Sequence, residues 1–66
     1  MDELLKRVTI DPKVMVGKPI IRGTRITVEH IMRQLASGRT ETDLLDAHPH
    51  LSAEDIRAAC AYAAAP

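Results

Sequence analysis

Apolar side chains in the second half of the chain recur at helical spacing. Val28, Ile31, Met32, Leu35 and Ala36 fall at i, i+3, i+4, i+7 and i+8, one continuous stripe that predicts a helix over residues 27–37. Thr27 stands where an N-cap belongs, and Ile26 before it is placed to pack on Ile31 as a hydrophobic staple. Glu29 and Arg33 make an i,i+4 pair on the wet face, and Gly38 supplies the left-handed residue that ends the helix. A second helix opens at Thr40, with Asp43 completing a weak capping box, carries Leu44, Leu45 and His48, and stops at Pro49. A third opens at Ser52 with Asp55 at N3, and Leu51 and Ile56 are in register for a second staple. Its main stripe reads Ile56, Ala59, Cys60 and Ala63, but further alanines leave it nearly apolar all round, which predicts burial on more than one side. Ala58, Ala61, Tyr62 and Ala65 are therefore the expected contacts to another copy.

The first third follows a period of two. Residues 7–10 alternate polar and apolar as a half-buried strand does, and Asp11-Pro12 breaks the run. Val14-Met15-Val16 and Ile20-Ile21 flank Gly17-Lys18-Pro19, which reads as a hairpin with a three-residue connection and a second arm running through Ile26. Gly23 inside that arm suggests a bulge or a close backbone approach. The fold class is mostly α with a small β-hairpin: short strands, then a three-helix, helix-turn-helix-like bundle whose Pro49-His50-Leu51 corner is the short turn of that motif. One domain covers residues 1–66, with strands and hairpin over 7–26 and the bundle over 27–65.

Composition changes this picture in one respect. There is no Trp, no Phe and a single Tyr among 66 residues, so a core that would be small in any case lacks the side chains that bury most area. With one cysteine, Cys60, no intramolecular disulfide can staple it, and association is the remaining device. A homodimer or higher oligomer is expected. Cys60, without a neighbouring base, reads as a small buried hydrophobe. The first residues carry acids where a signal peptide carries bases, and no apolar run approaches membrane-spanning length, so a soluble cytoplasmic protein is expected.

Charge is balanced overall but not along the chain. Residues 1–39 hold eight basic residues against four acids, +4, and residues 40–66 hold one against five, −4. Such polarity bears on partners more than on fold. Catalysis finds no footing: no Ser/His/Asp set, no phosphate loop, and acids that stand at helix starts, where Glu54 and Asp55 are expected to face outward and complement the helix dipole. His48 and His50 lack the further ligands of a zinc site, and His30 falls on the polar face of a different helix. The chain is read as no enzyme, with no metal, no cofactor and no small-molecule substrate. What remains is basic. Lys18, Arg22 and Arg25 on the hairpin, with Arg33 and Arg39 on the first long helix and its exit, are the candidate contacts to nucleic acid or to an acidic partner. Internal salt bridges are the competing use for Arg22 and Arg25. The third helix is a poor reader of DNA, because acids occupy the tip where base contacts would be made.

Several strings carry a resemblance. Ile10-Asp11-Pro12, the run from Gly17-Lys18-Pro19-Ile20-Ile21 through Arg22-Gly23-Thr24-Arg25-Ile26, Leu35-Ala36-Ser37-Gly38 and Pro49-His50-Leu51 resemble the family catalogued as domain of unknown function 433, over about residues 8–63. The resemblance implies a homeodomain-like or winged-helix-type three-helix fold. It also implies an antitoxin-like protein that neutralises a small nuclease toxin of the PilT N-terminus kind and often binds its own operator DNA. Arg22 or Arg25 would occlude the toxin's acidic metal site. A DNA-binding regulator without a toxin and an oligomerising scaffold are the alternatives. Where the family commonly has an aromatic before the proline, this chain has His48, which thins the core or frees that corner.

Overall fold

The structure, a computed structural model, describes residues 2–65. Helix α1 (Asp2–Leu5) leads into strand β1 (Val8–Ile10), which pairs antiparallel with β2 (Pro19–Ile21) in the register Val8–Ile21, Thr9–Ile20 and Ile10–Pro19. The hairpin is thus real but wider than the sequence suggests. Its first arm is the alternating 8–10 segment, not Val14-Met15-Val16, and residues 11–18 form the connection. Asp11-Pro12 opens that connection as a turn: the Val14 N–H donates to the Asp11 carbonyl (2.9 Å) and the Lys13 N–H to the Asp11 carboxylate (2.9 Å). Pro19, which has no N–H to give, sits at the first position of β2.

Residues Met15–Gly17 make a left-handed 3-10-like turn, with φ of 49° at Met15, 57° at Val16 and 78° at Gly17. The Gly17 and Lys18 N–H groups close it on the carbonyls of Val14 (3.2 Å) and Met15 (3.1 Å). A glycine accepts this region freely, but a β-branched residue there costs on the order of 1–3 kcal/mol.

The three longer helices start where the sequence places them. Helix α2 (Val28–Ala36) is capped by Thr27, whose hydroxyl accepts the His30 N–H at 2.9 Å. It ends in a Schellman arrangement: the Arg39 N–H donates to the Gln34 carbonyl (3.0 Å) and the Gly38 N–H to that of Leu35 (3.1 Å), with Gly38 at φ 98°. Helices α3 (Glu41–Ala47) and α4 (Ala53–Ala64) each open on a complete capping box, Thr40 with Asp43 and Ser52 with Asp55. Leu51 and Ile56, the expected staple, are both buried in one core with Ile21, Val28, Ile31, Leu44 and Ala59, and Tyr62 and Ile26 pack against it.

Helix α4 departs from its predicted stripe. Asp55, Ile56, Ala58 and Ala59 are its buried residues, while Cys60 and Ala63 are exposed. The buried face takes in Asp55 and Ala58 on a helix that packs against α1 as well as α2. Three readings are corrected. Cys60 is not a buried hydrophobe. Ala58, fully buried within its own chain, has no surface left for another copy. Asp55 does not look outward: it is 8% exposed and its Oδ1 accepts from Arg7 Nη1 at 3.1 Å.

Candidate functional site: a cationic cleft beside the hairpin

The string Arg22-Gly23-Thr24-Arg25 forms a tight turn, and the turn decides where its two arginines go. The Thr24 N–H donates to the Ile21 carbonyl (3.0 Å), with Arg22 and Gly23 as the central residues and Gly23 at φ 79°. Positive φ at the third position only makes this a type II turn, which asks for glycine there. So Gly23 ends the strand, where a bulge or close approach was expected. Thr24 fastens the turn: its hydroxyl donates to the Ile21 carbonyl (2.8 Å) and accepts the Ile26 N–H (3.0 Å). The chain then folds back along β2, the Ile21 N–H reaching the Ile26 carbonyl at 2.9 Å and Thr27 bridging to Ile20. On the other edge of β2 the Arg22 N–H donates to the Arg7 carbonyl (2.7 Å). Arg22 and Arg25 therefore leave the turn on different sides.

Arg22 borders a shallow depression with Glu3, Lys6, Arg7 and Asp55. Arg25 borders an open cleft of about 350 Å³ between the hairpin, α2 and the end of α3, together with Lys18, Arg33, Glu29, His30, His48 and Met15. It also lines two neighbouring clefts, one against the hairpin connection and one against Ala47, Pro49 and His50. Within the main cleft Glu29 takes Lys18 at 3.2 Å and Arg33 at 3.8 Å. The Lys18 hydrogen bond, then the charges of Arg33 and Lys18, hold the Glu29 carboxyl below its ordinary range. Three cations against one carboxylate leave the cleft at +2 with neutral histidines. Among the described side chains Arg25 has no ion pair and no hydrogen bond, and it is exposed.

The remaining candidates are scattered. Arg39 follows the Schellman end of α2, exposed and outside the cleft. Ala65 is exposed, Ala61 and Tyr62 are half-buried, and Ala58 lies inside. Two features escaped the sequence. His30 and His48 meet edge-on, ring centroids 5.8 Å apart at 84°, because α2 and the α3 terminus converge at the cleft. Arg7 and Asp55 pair across most of the chain, a contact that no local pattern announces. No group of three or more His, Cys, Asp or Glu side chains that could hold a metal ion occurs among the described residues. Nor is any described helix long and apolar enough to cross a membrane.

Comparison with known proteins bears on the same segment. A crystal structure of a DUF433 member protein from Anabaena variabilis superposes with a TM-score of 0.84 at 36% identity, over 92% of this chain and 60% of that one. An uncharacterised protein of Sinorhizobium fredii, y4eO, is 41% identical over 58 residues, which are 88% of this chain but only 26% of that protein. An uncharacterised protein of Archaeoglobus fulgidus is 55% identical over 29 residues, 44% of this chain and 81% of that protein. The chain thus spans about a quarter of the Sinorhizobium relative. The family model described as protein of unknown function (DUF433) matches residues 8–63, the whole of the hairpin, the arginine turn and nearly all of the helical bundle, and the chain belongs to that family.

Proposed function

We propose that this chain is a cytoplasmic, antitoxin-like binding protein, without catalytic activity of its own, that neutralises a small PIN-like nuclease by presenting Arg25 to the nuclease's carboxylate-rich metal site. The observation that carries the reading is the state of Arg25. Lys18 and Arg33 already share Glu29, whereas Arg25 stands exposed at the junction of three clefts and, among the described side chains, is ion-paired to no carboxylate, Asp11 in the neighbouring cleft included. A guanidinium is suited to bidentate capture of a carboxylate, and a rigid turn lowers the cost of holding it in place. Arg22, on the other side of the turn, is the weaker choice. The chain works as a dimer or higher oligomer in this reading, since its core lacks large aromatics.

Operator binding is the second reading. It draws on Arg22, Arg25 and Arg39, exposed and unpaired among the described side chains. Against it, the outward side of α4 offers Glu54, Arg57 already near Glu54 (4.0 Å), and exposed Cys60, Ala63 and Ala64, a poor surface for phosphates. The test is co-elution of the purified chain with the nuclease encoded by the adjoining gene, followed by nuclease assays. Wild type is expected to bind and inhibit, and Arg25→Ala to weaken binding about a hundredfold while Arg22→Ala changes it little. Absence of co-elution, or equal effects of the two substitutions, removes the reading. Binding to operator DNA that falls steeply with salt and survives without the nuclease supports the alternative.

A further inference from the structure

The exposed large hydrophobic side chains among the described residues are Ile10, Met15 and Val16, and all three belong to the far end of the hairpin. Val16 is the extreme case: 92% exposed, β-branched, and held at φ 57° and ψ 36°. For an isolated chain this arrangement has no return. The side chain buries nothing, and glycine at the same position would relieve the backbone. Strain of this kind persists where a conformation serves an encounter.

We propose that the Met15–Gly17 turn is a docking knob: Val16, with Met15 beside it, enters an apolar socket on a partner protein, and carboxylates bordering that socket meet Arg25. The surface is continuous with the cationic cleft, because Met15 lines it together with Lys18 and Arg25. An apolar knob next to excess positive charge fits a socket with an acidic rim. A lipid surface fits less well. Three apolar side chains on a chain of zero net charge supply neither the broad apolar face nor the polybasic patch that stable membrane association needs. The inference rests on the antitoxin-like reading and adds to it a second anchor, 15–17, with a different chemistry.

Calorimetric titration of the intact chain with the adjoining gene's nuclease tests it, alongside thermal unfolding of each free variant. Val16→Gly is expected to raise the melting temperature of the free chain by a few degrees and to weaken binding at least tenfold. Val16→Asn, which tolerates the left-handed backbone but is polar, is expected to weaken binding similarly. If both variants bind like wild type while Arg25→Ala does not, the knob is rejected and the role of Arg25 stands. If wild type does not bind the nuclease, both fall. Capture of the wild-type chain, but not Val16→Gly, by vesicles of phosphatidylserine and phosphatidylcholine overturns the protein socket in favour of a membrane. Loss of a wild-type dimer on Val16→Gly, seen by sedimentation, overturns it in favour of a second copy.

Discussion

Asp55 shows how one side chain can hold several parts of a small fold together. One carboxylate oxygen accepts the Ser52 N–H at 3.0 Å and completes the α4 capping box, while the other accepts from Arg7. The two contacts are unequal. Arg7 is nearly half exposed, so solvent screens the pair, and Arg7→Ala should cost less than about 1 kcal/mol. Asp55→Ala removes the cap as well and leaves a partly buried guanidinium without its acceptor, so it should cost about 2–3 kcal/mol. Urea unfolding of the two variants checks the ordering, and equal losses would mean that the ion pair, not the cap, dominates. Part of this was legible: Ser52 followed three residues later by an acid announces a capping box. The burial of Asp55 was not, because it depends on Arg7 and α1, far away in sequence, and helical periodicity reports neither.

Capping and ion pairing together decide how the helices respond to acid. Asp43 is held below its ordinary 3.8 by hydrogen bonds from the Thr40 backbone, then its side chain, and Glu29 is held below 4.5, first by Lys18 and then by Arg33. Both carboxyls have depressed folded-state values, so their contribution is complete above the ordinary values and is lost as pH falls through the lowered ones. Melting temperature should therefore fall between about pH 5 and pH 2, and a Glu29→Gln, Asp43→Asn double variant should show a shallower fall. An unchanged slope would assign acid sensitivity to other carboxylates. The helix starts were readable because caps are local chemistry: an oxygen-bearing side chain, three positions, an acid. The hairpin's register is hidden from the sequence for the opposite reason. Gly17-Lys18-Pro19 looks like a turn, and it is one, but register is settled by pairing across residues 11–18, where β1 offers the alternating face and Val14-Met15-Val16 does not. The cationic cleft was half legible. Its cations could be named from the chain, but the division of Arg22 from Arg25 required the backbone of the turn.

At the scale of the whole molecule, stability rests on a few aliphatic side chains. Ile21, Ile31 and Leu44 are the largest that are fully buried, and the aromatic contribution is one half-buried tyrosine. Ile31→Ala removes the residue at the centre of α2's contact with the core and should cost about 2–5 kcal/mol, a large share of what a domain of this size holds in reserve. Loss of the cooperative thermal transition, or a drop of many degrees, is the expected result. The charge asymmetry along the chain survives folding in part. The exposed acids Glu41, Asp43 and Asp46 all lie on α3, while Arg22, Arg25 and Arg39 stand exposed at the hairpin turn and the α2 exit.

The long connection at residues 11–18 has a consequence for severed chains. Everything before it, α1 and β1, is tied to the rest by pairing with β2, packing on α4 and the Arg7–Asp55 contact, none of which needs an unbroken backbone. Limited trypsin at exposed Lys13 should therefore give two fragments that still travel as one species through a sizing column and part only in denaturant. An amino-terminal peptide ending at Lys13, added back in excess to the remainder, should likewise restore its fold, with an affinity set by pairing with β2 and packing on α4.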